Sequence, residues 1–126
     1  MYSVDITSLG ETAYKVKSKD YECVVDTAGN GMTPPDTLLT SLGTCIGVYI
    51  RKYFRNTSQK ADNFEIRVWG DLTEKPPYRF EKINVRIDLK GVKLDEVHMK
   101  AFLNFIQNCP VHNTIELKPV INFVIG

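Results

Sequence analysis

The first quarter of the chain alternates between apolar and polar residues, and this period of two is typical of strands. We predict three strands, over residues 2–6, 13–17 and 21–25, with turns at residues 8–11 and 19–20. Turns this short join neighbouring strands that run in opposite directions. The pattern therefore predicts an antiparallel meander.

A long helix follows a glycine-containing loop. The run Thr33-Pro34-Pro35-Asp36 is a strong helix start, because Thr33 can serve as N-cap, Pro34 suits the first helical position and Asp36 closes a capping box. The body, from Thr37 to about Arg55, is apolar on most sides and would extend ~28 Å. A helix of this kind is buried, and a short chain has little material to cover it. We therefore expect a second subunit to cover part of it.

The second half alternates strand-like and helix-like patterns. Two strands are predicted, one from Phe64 toward Leu72 and one over residues 80–89 with an irregularity near Glu81-Lys82. The remaining predicted elements are a helix over Lys93–Asn108, a short helical turn over Cys109–Thr114, and a final strand over Val120–Ile125. This order of elements predicts an α+β fold in a single domain over residues 1–126.

Composition narrows the function classes. The chain has 126 residues, of which 43% are hydrophobic and 25% charged, with a net charge of +1. This balance argues against nucleic acid or an anionic membrane as the main partner. No apolar run approaches the ~18 residues of a membrane-spanning helix, and the first residues do not resemble a signal peptide. We expect a cytoplasmic protein.

Three cysteines are the main candidates for chemistry, since an odd, widely spaced set does not suggest structural disulfides. Cys23 lies in a predicted strand and is interpreted as a packing residue. Cys45 lies in the middle of the buried helix, where packing is the simplest interpretation and local sequence supplies no activating group. Cys109 precedes Pro110 and is a plausible helix N-cap, a position that lowers the pKa of a thiol. Packing remains an equal alternative for Cys109.

The sequence does not indicate a metal or a cofactor. Cys109 and His112 have the spacing of half a zinc site, but the second pair of ligands is missing. His112 could instead add a hydrogen bond beside Cys109, or be an ordinary structural histidine. Gly29-Asn30-Gly31 does not lead to the lysine of a phosphate-binding loop. We expect neither a metal nor a cofactor.

Two segments together resemble one protein family. Residues 33–45, TPPDTLLTSLGTC, resemble the central-helix motif of the OsmC/Ohr family, which comprises osmotically inducible protein C and organic hydroperoxide resistance proteins. Residues 109–115, CPVHNTI, resemble that family's second cysteine motif. The order and separation of the two motifs make the resemblance specific, and the predicted order of elements extends it over essentially the whole chain.

The resemblance implies an intertwined homodimer with two paired central helices. It also implies an antioxidant, stress-response peroxidase that uses a small-molecule peroxide and a dithiol reductant as its partners. Cys45 would be the nucleophile that becomes a sulfenic acid, and Cys109 the thiol that condenses with it to form a disulfide. Asp36 matches an acidic residue that the family carries on the same helix. In the family, that acidic residue holds an arginine.

The chain departs from the family pattern at that arginine. No arginine precedes Arg51, so Lys15 or Lys17 would have to supply the positive charge, and lysine lacks the bidentate fork of arginine. Asp36 also lies ~13 Å along the helix from Cys45 and on roughly the opposite side, so it cannot contact the thiol directly. The departure motivates an alternative, a non-enzymatic binding or sensing module that holds a hydrophobic or thiol-bearing ligand near Cys45.

Overall fold

The computed structural model of the protein describes all 126 residues and has the α+β architecture that the sequence predicts. The chain divides into two compact units, residues 1–40 and 41–126. Its elements are β1 (Asp5–Leu9), β2 (Ala13–Ser18), β3 (Tyr21–Asp26), α1 (Pro34–Arg55), β4 (Glu65–Trp69), β5 (Asn84–Asp88), α2 (Glu96–Ile106) and α3 (Pro110–Leu117). The helix α1 begins in the first unit and continues in the second.

The first unit contains the predicted antiparallel meander, with strand order β1-β2-β3. Its register places Ile6 opposite Val16 and Val16 opposite Cys23. The predicted bounds of the first strand are wrong, because β1 begins at Asp5 and continues to Leu9. The turn covers residues 10–12 rather than the predicted 8–11, and its Gly10 has a φ of 69°, in the left-handed region that glycine adopts without a steric penalty.

The start of α1 is the predicted capping box. Asp36 Oδ2 accepts hydrogen bonds from the Thr33 hydroxyl at 2.8 Å and from the Thr33 backbone N–H at 3.2 Å. In return, Thr33 Oγ1 accepts a hydrogen bond from the Asp36 backbone N–H at 3.3 Å. Pro34 occupies the first helical position, where its missing N–H is not needed.

The second unit is built around one side of α1. The buried residues of the helix recur at helical spacing and are Leu42, Gly43, Ile46, Gly47, Ile50 and Phe54. The other side is not covered within the chain, since Val48 is 51% exposed. A single chain therefore leaves part of this apolar helix uncovered, as the sequence analysis expects; its cover by a second subunit stays a prediction.

The β4–β5 sheet packs against the glycines of α1. A Cβ atom added at Gly43 would lie 2.9 Å from Val68 Cγ2, and one added at Gly47 would lie 3.5 Å from Ile66 Cδ1. The sheet is shorter than predicted, because beyond Trp69 only Leu72 and Phe80 form an isolated bridge. The absence of side chains at Gly43 and Gly47 lets the sheet approach the helix closely.

The helix α2 completes the core. It begins at Glu96 after the N-cap Asp95, whose side chain accepts the His98 backbone N–H at 2.8 Å. Phe102 and Ile106 are buried against α1, and the Phe102 ring lies 5.7 Å from that of Phe54. The predicted helix was two or three residues too long at each end, because the capping aspartate sets its start.

The predicted final strand is wrong for the single chain. Residues 118–126 contain no regular element, and no strand of the chain pairs with them. Five apolar side chains of this segment are between 72% and 95% exposed: Val120, Ile121, Phe123, Val124 and Ile125. A strand needs a neighbour to satisfy its backbone hydrogen bonds, and the chain supplies none. No helix combines the length and the hydropathy that crossing a bilayer requires.

Candidate functional site

Cys45 lies near the middle of α1 and is partly exposed. It is two residues from Gly43 and two from Gly47, and two residues turn a helix by about 200°. Its side chain therefore projects from the side of α1 opposite to the one that approaches β4. There it packs against the buried core of the second unit.

Cys109 is the N-cap of α3, as the sequence predicts, and it is fully buried. Its sulfur accepts a hydrogen bond from the His112 backbone N–H at 3.4 Å. Pro110 follows at the first helical position, which explains why the helix starts here rather than continuing from α2. The predicted short turn is a helix of eight residues that extends to Leu117.

The fold brings the Cys45 and Cys109 thiols together. Cys45 packs against the buried cluster that contains Cys109, and the two thiols are close enough to influence each other's ionisation; both are free rather than disulfide-bonded. Burial is the main cause that raises the pKa of Cys109 above its ordinary value of 9.0, and the contact with Cys45 raises it further. Hydrogen bonds from the backbone N–H groups of His112 and Val111 lower the pKa of Cys109, but their combined effect is smaller than the two effects that raise it. The prediction that the N-cap position lowers the pKa of Cys109 is therefore wrong.

Aromatic residues lie close in sequence to both cysteines, one on α1 and one on α2. Tyr49 is one turn beyond Cys45 on α1, and Phe105 is four residues before Cys109 near the end of α2. The centroids of these two rings are 5.9 Å apart. Tyr53 and Phe102 continue the same aromatic cluster, with their centroids 5.2 Å apart. Cys45, Tyr49 and Tyr53 all pack against the buried cluster that contains Phe102 and Cys109.

His112 lies between the thiols and an apolar groove. Its Nε2 is 3.9 Å from a carboxylate oxygen of Glu116, one turn further along α3. The groove has a volume of about 610 Å³, and its walls include Ile83 and Ile87 from the β5 region and Leu103 from α2. Sequence reasoning did not identify this groove, because its walls come from four separate elements. Cys45 is not among the residues that line it.

Asp36 lies in the first turn of α1, nine residues before Cys45 in the sequence. Its carboxylate is hydrogen-bonded in the capping box at the start of α1. No ion pair joins Asp36 to Lys15 or Lys17, the two residues considered as replacements for the family arginine. The structure thus gives Asp36 a place in capping, and its part in any reaction stays a prediction.

The third cysteine lies in the first unit. Cys23 lies in β3 and is exposed, so its interpretation as a packing residue is wrong for the single chain. Within β3, only Val25 and Asp26 are buried. No group of three or more His, Cys, Asp and Glu side chains is close enough together to hold a metal ion.

Comparison with known proteins defines the class to which this arrangement belongs. The chain resembles an OsmC-like protein from Mycoplasma pneumoniae, with a TM-score of 0.79 at 18% identity over 92% of this chain and 87% of the other. A hypothetical protein from Aquifex aeolicus gives a TM-score of 0.77 at 21% identity, covering 94% and 89% of the two chains. An organic hydroperoxide resistance protein OsmC from Legionella pneumophila gives 0.62 at 16% identity, covering 91% and 90%. The fold is therefore OsmC-like.

The family follows from the sequence itself. The sequence profile of the OsmC-like protein family matches residues 27–124, which include both cysteine motifs. No curated protein matches the chain. The protein belongs to the OsmC family, and the family resemblance of the two motifs is confirmed.

Proposed function

We propose that this chain is a cysteine-based peroxidase that reduces organic hydroperoxides or hydrogen peroxide. One observation carries the proposal: the partly exposed Cys45 thiol lies beside the buried Cys109 thiol, close enough for the two to interact. Membership of the OsmC family supports a redox function in stress. The Legionella relative is named for organic hydroperoxide resistance, but at 16% identity it informs only on the fold.

The reaction would take place in two steps on the protein. The Cys45 thiolate attacks one peroxide oxygen, the O–O bond breaks, and the released alkoxide takes a proton to leave as alcohol, or as water when the substrate is hydrogen peroxide. Cys45 is then a sulfenic acid. The Cys109 sulfur attacks the sulfur of that group, water leaves, and a Cys45–Cys109 disulfide forms. An external dithiol would reduce the disulfide and become oxidised itself.

The surroundings of the two sulfurs support this division of roles. The raised pKa of Cys109 keeps that thiol neutral at pH 7, so that it can donate a hydrogen bond to a Cys45 thiolate. A peroxide can reach Cys45, which is partly exposed, whereas Cys109 is fully buried. The neutral, buried Cys109 thiol is thus suited to react only after Cys45 has become a sulfenic acid. We place this chemistry in the cytoplasm, where dithiol reductants are available.

Asp36 is proposed as a positioning residue. It fixes the first turn of the helix that carries Cys45, through its hydrogen bonds to Thr33. The family resemblance further implies that its carboxylate holds a cation. Lys15 and Lys17 are the available candidates in the N-terminal strands.

A homodimer is the proposed assembly. Two apolar surfaces of the single chain lack cover: the side of α1 that includes Val48, and the C-terminal segment from Val120 to Ile125. Exposed apolar stretches of this kind mark protein–protein contacts. A second copy of the chain would cover both.

The decisive experiment measures peroxide-dependent oxidation of dithiothreitol with tert-butyl hydroperoxide and with hydrogen peroxide. The wild type is expected to turn over, and Cys45→Ser is expected to fall to the background rate. Without dithiothreitol, Cys109→Ser should stop at a sulfenic acid, which dimedone would label at Cys45. Cys23→Ser is the matched control and should keep wild-type activity. Full turnover by Cys45→Ser, or a dimedone label on Cys23 alone, would overturn the proposal.

One observation favours a second candidate, a non-enzymatic binding or sensing module. The groove of about 610 Å³ is in the size range of ligand pockets, and it combines apolar walls with polar groups such as His112 and Lys118. Native mass spectrometry of the purified protein would then detect a bound hydrophobic or thiol-bearing molecule. That result, together with no peroxide turnover, would favour this function over the peroxidase.

A further inference from the structure

The outward side of the β4–β5 sheet carries an unusual pair of charges. Arg67 of β4 lies directly opposite Arg86 of β5 in the antiparallel register, and both residues are exposed. Residues directly opposite each other have Cβ atoms about 5 Å apart, and like charges in such a pair are destabilising. An anion placed between the two guanidinium groups would remove this repulsion.

The two carboxylates nearest along the same side are already paired. Lys90 Nζ lies 3.1 Å from Glu65 and 3.6 Å from Asp88, and the Lys90 backbone N–H donates to Asp88 Oδ1 at 2.9 Å. These hydrogen bonds and charges lower the pKa of Asp88, so it is ionised at neutral pH. Neither Arg67 nor Arg86 takes part in an ion pair of the chain. Arg86 is close enough to Asp88 for its charge to lower the pKa of that carboxyl, but it acts more weakly than Lys90, so neither guanidinium group is fully neutralised.

An aromatic ring completes this surface. Trp69 is two residues beyond Arg67 on the same side of β4, is 40% exposed, and stands opposite Asn84. The Arg67 guanidinium carbon lies 5.3 Å from the centre of the Trp69 ring. This contact holds the cation beside the ring without neutralising its charge. We call the set Arg67, Arg86 and Trp69 the arginine–tryptophan face.

We propose that the arginine–tryptophan face binds a small phosphate-bearing molecule that also carries an aromatic ring, of the nucleotide class. Two guanidinium forks match the oxygens of a phosphate, and the indole offers a partner for a planar base. A long polyanion is not favoured, because the chain has a net charge of only +1 and Glu65 and Asp88 lie on the same side.

This face is separate from the thiol pair. Val68 and Ile66 point to the opposite side of the sheet, where they meet Gly43 and Gly47 of α1. Cys45 lies on the far side of that helix. A ligand on the arginine–tryptophan face would not contact either thiol, so the inference goes beyond the proposed peroxidase and does not depend on it.

The chain supplies its own probe, because Trp69 is its single tryptophan. At low ionic strength, ADP should change the Trp69 fluorescence saturably and raise the melting temperature, since a ligand that binds the folded state stabilises it. Calorimetric titration should show at least tenfold weaker ADP binding in Arg67→Gln and in Arg86→Gln. Arg79→Gln is the matched control, since Arg79 pairs with Glu81 outside this face, and it should bind within twofold of wild type.

Several results would overturn this proposal. Binding of adenosine as tight as that of ADP would exclude a role for the phosphate. Equal weakening in Arg79→Gln would indicate a general charge effect rather than a site. Absence of saturation at millimolar ADP, or binding confined to an oligonucleotide, would equally exclude a small-molecule site. Circular dichroism of each variant checks the fold, and loss of one exposed arginine should not destabilise it.

Discussion

The Cys109 thiol lies beside the Cys45 thiol, although Cys45 lies in the middle of α1 and Cys109 begins α3. The contact forms within one chain, so it does not need a second subunit. Because Cys109 is fully buried and Cys45 is partly exposed, the two sulfurs differ in their access to solvent. In the proposed peroxidase, this difference would make Cys45 the thiol that meets the peroxide and Cys109 the one that resolves the product.

Alkaline pH should destabilise the reduced protein through Cys109. Its pKa is raised above the ordinary 9.0, so above that pH the unfolded thiol loses its proton while the folded one keeps it. The unfolded state then binds fewer protons, and the free energy of unfolding falls as pH rises until the folded thiol also ionises. Below the ordinary pKa this contribution is fully present. Urea denaturation between about pH 7 and about pH 10 measures the slope.

Two variants test this assignment of the alkaline slope. Cys109→Ala should flatten the fall in the free energy of unfolding, even if it lowers stability at every pH. Cys23→Ser should retain the wild-type slope, because that thiol is exposed. Identical slopes for wild type and Cys109→Ala would show that another group is responsible.

Removing the Asp36 carboxylate should destabilise the start of α1. Asp36→Ala loses the hydrogen bonds to Thr33 and is expected to lower the free energy of unfolding by about 1 kcal/mol, as for other capping residues. Asp36→Asn keeps an acceptor oxygen and should lose less. Asp71→Ala, in an exposed loop, is the control and should change stability little. A loss of peroxide turnover in Asp36→Asn without a loss of stability would assign the carboxylate a role in the reaction.

The two glycines on α1 should differ in their tolerance of alanine. At Gly43 a Cβ would lie 2.9 Å from Val68 Cγ2, so Gly43→Ala should destabilise by about 1–3 kcal/mol, as overpacked core variants do. At Gly47 the nearest atom is 3.5 Å away, an ordinary contact. Gly47→Ala should be neutral, or stabilising by up to about 1 kcal/mol through helix propensity. Thermal and urea unfolding of Gly43→Ala and Gly47→Ala would measure the two changes in stability. Equal changes would contradict the packing of Val68 against Gly43.

The C-terminal segment should be needed for self-association. Sedimentation velocity over a range of concentrations is expected to detect a dimer of the wild type. Val124→Lys places a charge where the side chain is 94% exposed in the single chain, and it should weaken the dimer at least tenfold. Tyr78→Lys, at an apolar residue that is 69% exposed elsewhere, is the matched control and should leave the dimer intact. A monomeric wild type would exclude the proposed assembly.

The sequence predicted α1 well because its start is encoded locally. Thr33, Pro34 and Asp36 specify the cap, because the interacting residues Thr33 and Asp36 are only three positions apart in the sequence. The helix also ends at Arg55, as expected. The N-cap position of Cys109 was predictable for the same reason. The direction of its pKa shift was not, because burial outweighs the local N–H donors and depends on residues far away in the chain.

Pairings between distant segments were harder to predict. Local evidence left both Cys45 and Cys109 open to a packing role, and their association came from the family resemblance. The opposition of Arg67 and Arg86 depends on a register that no tight turn specifies, because a long connection separates β4 from β5. The segment Val120–Ile125 has the composition of a strand, but a strand also needs a partner, which the chain lacks.

The exposure of Cys23 has a practical consequence for experiments on the thiol pair. In the single chain, an alkylating reagent meets this sulfhydryl on β3 without entering the core, whereas Cys109 has no exposed surface. A colorimetric count of free thiols on the native protein would therefore detect Cys23 first, the partly exposed Cys45 next and Cys109 last. Peptide mapping with isotopically distinct labels, applied before and after unfolding, reads each sulfur separately.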